Sequence, residues 1–208
     1  MVFHVLNRGV GRMRIFDDDG DYFAFERIME ETLQTRSMRI CAYCLMPNHW
    51  HMVLWPENDG ELAAFMQRLT VTHVTRWQRH KGRVGYGHVY QGRFKSFPIE
   101  TDDYFYQVVR YVERNPLRAD LIDDLDRWRW SSFWRYRHGT TAQKRLLSAW
   151  PLVRPRKWKC HVECPQTESE QAALQRSIDR GSPLGQKSWV HQVAEQLNLT
   201  STLAARGV

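Results

Sequence analysis

Residues 47–55 read Pro47-Asn48-His49-Trp50-His51-Met52-Val53-Leu54-Trp55, and Pro56 follows. Pro47-Asn48 is a turn signal, and the apolar run after it reads as a strand that Pro56 stops. Alternate residues of a strand share a face, so His49 and His51 point one way while Trp50 points into the opposite layer. Just upstream, residues 38–46 are a mixed apolar run and read as another strand. The two runs form an antiparallel pair across the turn. Two imidazoles on one rigid strand face suit a single divalent metal, whereas a plain hydrogen-bonded histidine pair is the commoner meaning of the pattern.

Working outward, residues 3–8 read as a first strand and run into Gly9 and Gly11. Asp17 to Gly20 marks a helix start, after which Tyr22, Phe25, Ile28, Met29 and Leu33 fall at helical spacing. Beyond Pro56, Asp59 is a candidate cap. Leu62, Phe65, Met66, Leu69, His73 and Trp77 then form an apolar stripe that Gly82 ends. Residues 89–99 read as a strand with Arg93 and Lys95 on one side. Thr101 caps a last helix, with Phe105, Val108, Val109 and Val112 as its buried stripe; Pro116 predicts an end near Arg114. The order strand, helix, strand, strand, helix, strand, helix predicts an α+β fold, an antiparallel sheet with helices packed on it. The predicted division is a core over residues 1–127 and an aromatic, basic, partly helical extension over 128–208. That extension has helices at 168–180 and about 188–197.

The chain has 208 residues, a formal net charge of +7 and 42% hydrophobic residues. No run approaches the ~18 apolar residues of a membrane helix. The N-terminal residues lack the pattern of a secretory signal. The expectation is a cytoplasmic protein with no membrane partner and no small-molecule cofactor. Of the four cysteines, Cys41 and Cys44 are three apart in a strand, which predicts opposite faces; buried free thiols are expected rather than zinc or disulfides. The charge is uneven. Arg68, Arg76, Arg79, Lys81, Arg83, Arg93 and Lys95 fall in a stretch without an acid, and a second such block spans residues 144–159. Aromatics interleave both blocks, a pattern that suits a nucleic acid.

Tyr111 and Asn115 are four apart and share a helix face on the flank of the buried stripe. A tyrosine there is ordinarily an amphipathic cap on the core. With a histidine pair and a basic surface it gains a second meaning. A phenolate can attack a phosphodiester and leave a covalent intermediate, and a nearby divalent cation assists by polarising the phosphoryl oxygen.

Pro47-Asn48-His49-Trp50-His51-Met52-Val53 resembles the His-hydrophobic-His (HUH) motif of single-tyrosine transposases. Tyr111-Val112-Glu113-Arg114-Asn115-Pro116-Leu117-Arg118-Ala119 resembles their tyrosine helix, most closely that of the REP-associated tyrosine transposases. Asn7-Arg8-Gly9, Gln91-Gly92-Arg93-Phe94-Lys95-Ser96 and Trp128-Arg129-Trp130-Ser131-Ser132 support it. The end, Leu203-Ala204-Ala205-Arg206-Gly207-Val208, is less basic than the subgroup's. The resemblance implies a ferredoxin- or RRM-like core. It also implies Tyr111 as nucleophile, His49, His51 and Asn115 as ligands of magnesium or manganese, and a single-stranded DNA hairpin as partner. The implied reaction is hairpin cleavage and strand joining through a 5′-phosphotyrosine. Candidate DNA contacts are Asn7, Arg8, Arg93 and Lys95, with Arg68, Arg76, Arg79, Lys81 and Arg83 on the basic stretch. Monomer and homodimer both remain open. So do three rival readings: a rolling-circle initiator or relaxase that uses Tyr104, which lies seven before Tyr111 on the same face; a hairpin-binding regulator without catalysis; and a histidine-metal phosphohydrolase.

Overall fold

A computed structural model describes residues 1–204; the end of the chain, where its departure from the subgroup falls, lies largely outside them. Its core runs β1 (Val2–Arg8), α1 (Asp19–Leu33), β2 (Arg39–Met46), β3 (His49–Trp55), α2 (Glu61–His80), β4 (Lys95–Ile99) and α3 (Asp103–Arg118). The strands form one antiparallel sheet in the order β2-β3-β1-β4. This is the α+β architecture that the apolar periodicity predicts. The hairpin at Pro47-Asn48 is present, with Cys44 opposite His51 and Met46 opposite His49.

Each face of the sheet carries its own helical layer. On one, Phe25, Met29, Phe65, Met66, Leu69 and Trp77 of α1 and α2 pack against Val5, Tyr43, Trp50 and Met52. On the other, Phe105, Val108, Val109 and Val112 of α3 pack against Val2, Val53, Phe97 and Ile99. Trp50 and His51 therefore belong to opposite layers, as strand alternation requires.

Residues 128–204 wrap around this core. They carry α4 (Ser132–His138), the single turn α5 (Thr141–Lys144), α6 (Trp158–Glu163), α7 (Glu168–Arg180) and α8 (Lys187–Gln196). Both edges of the sheet are covered. The Leu45 amide donates to the Trp130 carbonyl and the Ser148 amide to the Ile40 carbonyl on the β2 edge. Leu184 exchanges backbone bonds with Pro98 and Glu100 on the β4 edge. Such cover removes the unpaired strand edge that would otherwise recruit another chain. No helix among the described residues is long and apolar enough to cross a membrane.

Four local expectations are corrected. Only Lys95–Ile99 of the predicted 89–99 strand joins the sheet; β1 ends at Arg8, so Tyr90 and Gln91 pair irregularly with Gly9 and Arg8, and Gly92 to Phe94 bends away. The caps of α2 and α3 fall one residue later than predicted, at Gly60 and Asp102; the Asp102 carboxylate accepts from the Tyr104 amide. A β-bulge between Ile40 and Ala42 shifts the alternation, so Cys41 and Cys44 share one layer instead of facing apart. Both thiols are buried, and burial raises them, Cys41 to about 12; Cys160 and Cys164 are exposed.

The fourth correction has consequences for the site. Helix α3 does not end near Arg114 but continues through Pro116 to Arg118. Proline has no N–H to offer the Val112 carbonyl. The Asn115 side chain fills that gap: its Nδ2 donates to the carbonyls of Val112 (3.3 Å) and Tyr111 (2.9 Å). With the orphaned carbonyl satisfied, the helix gains another turn.

Candidate active site

A cleft opens where the ends of β1 and β3 meet α3. Its walls include Asn7 and Arg8 from β1, His49 and His51 from β3, and Tyr111 and Arg118 from α3. The segment Gln91 to Arg93, with Lys95, closes another side, and Gln175, Ile178 and Asp179 of α7 close the last. The cleft holds a volume of about 370 Å³.

Both histidines have one ring nitrogen committed. His49 Nδ1 lies 2.6 Å from Asn48 Oδ1. An amide oxygen only accepts, so His49 carries its proton on Nδ1 and leaves the Nε2 lone pair outside this bond. His51 Nδ1 lies 2.9 Å from Nε2 of His4, a residue of β1 that sequence reading did not single out. Burial lowers all three imidazoles, His49 to about 4, His4 to about 3 and His51 well below the usual value. They are therefore neutral at neutral pH, the form in which imidazole binds a metal.

Tyr111 sits against this set. Its ring meets the His51 ring edge to face with centroids 5.6 Å apart, and the His4 ring at 6.0 Å. Only 7% of the residue is exposed. Arg118 was also missed: its Nη2 donates to the Tyr111 hydroxyl (3.0 Å) and to Asn115 Oδ1 (2.8 Å). Asn115 thus offers one amide oxygen that Arg118 already shares, and a carbonyl-type oxygen accepts twice.

The donor set fits a divalent cation in kind. It is two neutral imidazoles, each with a partner on its second ring nitrogen as ligating histidines have, plus an amide oxygen beside the tyrosine. No group of three or more His, Cys, Asp or Glu able to hold a metal occurs among the described residues.

The predicted basic contacts divide. Asn7, Arg8, Arg93 and Lys95 line the cleft; Arg68, Arg76, Arg79, Lys81 and Arg83 do not. Arg76 pairs with Glu31 (2.7 Å), and Lys81 pairs with Asp17 and Asp21 at the start of α1. In the second basic block, Arg154 stacks on Trp150 and Tyr136, and Lys159 bonds Asp124 and Asp126. Tyr104 does not line the cleft.

Strand register and helix length, once known, place both missed residues. His4 is two before Leu6, the cross-strand partner of His51, so it lies diagonally across on the same face. Arg118 is seven after Tyr111, two helical turns on, and shares its face once the helix is known to pass Pro116.

A sequence model of the family described as "Transposase IS200 like" matches residues 1–115, more than half of the chain. A Haemophilus influenzae protein named as a REP-associated tyrosine transposase is 28% identical over 120 residues, which span 53% of this chain and 68% of that one. The solved structure of a REP-associated tyrosine transposase bound to a REP hairpin superposes with a TM-score of 0.53. It is 19% identical, and the match covers 64% of this chain and 76% of that one. At that identity the likeness concerns the fold.

Proposed function

Because this chain belongs to the IS200-like transposase family, we propose that it is a single-tyrosine DNA strand transferase of the REP-associated kind. On this reading it binds a single-stranded DNA hairpin in the cytoplasm, cleaves near the hairpin foot and rejoins strands. The observation that carries the reading is the meeting of Tyr111, His49 and His51, three elements apart in sequence, in one basic cleft, with the buried Asn115 tied to it through Arg118. The structural relative bound to a REP hairpin supports a hairpin as the partner.

The division of labour follows the geometry. Asn7, Arg8, Arg93 and Lys95 hold the strand's phosphates along the cleft, and α2 with Arg68, Arg79 and Arg83 offers a peripheral basic surface. Residues 1–127 carry the chemistry, while 128–204 buttress the sheet and close one wall. Tyr111 attacks the phosphodiester: its oxygen bonds to phosphorus, the bond to the 3′-oxygen breaks, and a 5′-phosphotyrosine and a 3′-OH result. A second 3′-OH reverses the step and releases the tyrosine. Magnesium or manganese, held by His49, His51 and Asn115, would offset the charge that develops on the phosphoryl oxygens. His4 fixes the His51 ring, and Asn48 fixes the His49 ring.

The test is a denaturing gel of protein with labelled hairpin DNA, selected for binding from a randomised hairpin pool, with and without Mn2+ or Mg2+. A metal-dependent covalent adduct that Tyr111→Phe abolishes is the expected result. Tight binding with no adduct under any metal would instead make the chain a hairpin-binding regulator.

A further inference from the structure

The extra turn of α3 beyond Pro116 puts a guanidinium on the tyrosine. Arg118 donates through Nη2 to the Tyr111 hydroxyl at 3.0 Å, and its Cζ lies 4.3 Å from the centre of the Tyr111 ring. The same nitrogen donates to Asn115 Oδ1 at 2.8 Å. Arg118 also lines the cleft. A cation in the last turn of a helix often does no more than meet the final carbonyls. Arg118 does something different, because both of its bonds go to side chains of the site.

We propose that Arg118 is a catalytic residue that stabilises the charge on the Tyr111 oxygen in both directions of strand transfer. The inference rests on the reading of Tyr111 as nucleophile. Arginine has no acceptor and does not lose its proton, so in this contact the phenol oxygen accepts and its own proton points elsewhere. In the forward step that proton leaves to solvent, the oxygen bonds to phosphorus, and the departing 3′-oxygen takes a proton from solvent. In the return step a 3′-OH attacks phosphorus, loses its proton to solvent, and Tyr111 departs as a phenolate facing the guanidinium. A donor already in place where charge develops needs no reorganisation during the reaction. The bond to Asn115 and the stacking on the ring hold Arg118 at that position.

The experiment compares the full chain with Arg118→Met and Arg118→Lys on the pool-selected hairpin. Binding is measured by fluorescence anisotropy in EDTA. Adduct formation and rejoining from purified adduct are measured at saturating DNA and Mn2+. At saturating DNA, Arg118→Met should slow both chemical steps about 100-fold, the usual loss for one donor to a developing oxyanion, in protein that still binds the hairpin and unfolds cooperatively. Arg118→Lys should recover about tenfold, since it keeps the charge but loses the planar fork. Wild-type rates in Arg118→Met overturn the proposal. So does a loss that appears only in binding and vanishes at saturating DNA, which would make Arg118 an ordinary phosphate contact. If the wild-type chain itself gives no adduct, the reading of Tyr111 fails and this inference falls with it, an outcome visible in the wild-type lane alone.

Discussion

The two faces of the sheet bury comparable polar groups and treat them in opposite ways. On the α1/α2 face, Trp50 Nε1 donates to the Tyr90 hydroxyl, which lies 2.7 Å from His73 Nδ1. Beside it Arg135 bonds Tyr43 and pairs with Glu26 at 2.6 Å. These groups satisfy one another, and where His73 and Tyr90 reach the walls of surface pockets they do so in two separate ones. On the α3 face, His4 with His51 and Arg118 with Tyr111 and Asn115 form two bonded groups whose rings meet, and His49, His51, Tyr111 and Arg118 line a cleft. His73 and His4 are alike in burial, and burial lowers both to about 3. Burial and a shifted pKa therefore do not separate scaffold from site in this protein. The company at the opening does: one cleft gathers His49, His51, Tyr111 and Arg118 with Asn7, Arg8, Arg93 and Lys95.

The sharpest way to break that comparison is to remove one histidine from each face. His51→Ala should reduce metal-dependent adduct formation about 100- to 1,000-fold, as losing several kcal/mol of charge stabilisation implies. His73→Ala should leave adduct formation intact in the folded protein and lower stability by about 1–3 kcal/mol, because the Tyr90 hydroxyl loses a buried partner. Gel quantification and urea unfolding read the two effects. If His73→Ala lost catalysis without losing stability, the two faces would be coupled and the contrast would be wrong.

A second probe lies wholly on the α1/α2 face. Arg135→Met leaves the Glu26 carboxylate buried without its cation, which should cost about 3–5 kcal/mol in urea unfolding. Adding Glu26→Gln should recover much of that loss, since removing both charges avoids the uncompensated one. A loss below about 1 kcal/mol in the single variant would place this pair among solvated surface bridges.

The same contrast explains what was legible in the sequence. Trp50 and the two histidines alternate within three residues, so their division between faces could be read directly. Tyr111 and Asn115 were legible as a helical pair. His4 was not, because its meaning comes from a strand about fifty residues away whose register no local pattern gives. Arg118 was hidden by a correct rule with a local exception. Proline does end most helices, but the Asn115 amide takes over the lost bond. Within the charge blocks, Lys81, Arg154 and Lys159 are bound to acids or aromatics of the chain itself, and only neighbours in space reveal that. The paired edges supplied by residues 130–148 and 184 were likewise invisible, since coil that covers a strand carries no periodicity.

The smallest expected effect concerns how that wrapping is held. Asp126 receives Lys159 at 2.7 Å, His138 at 2.6 Å and Arg137 at 2.7 Å, which ties α4 and α6 to the turn between them and α3. Burial alone would raise this carboxyl, but the bonds from Lys159, His138 and Arg137 outweigh it and hold the group well below the usual carboxylate range. The folded state therefore binds the Asp126 proton more weakly than the unfolded chain does. Its stabilising contribution is complete above the unfolded value of ~3.9 and is lost as pH falls through that value toward the lower folded one. The stability difference between the wild-type chain and Asp126→Asn should be constant near about pH 6 and shrink steadily below about pH 4. It should also shrink in high salt, because the site is near the surface and screened. The salt response is not expected for Arg135→Met relative to wild type, since its buried partners are shielded little by ions. A salt response of equal size in both variants would mean that the α1/α2 face is no drier than the wrapping that covers it.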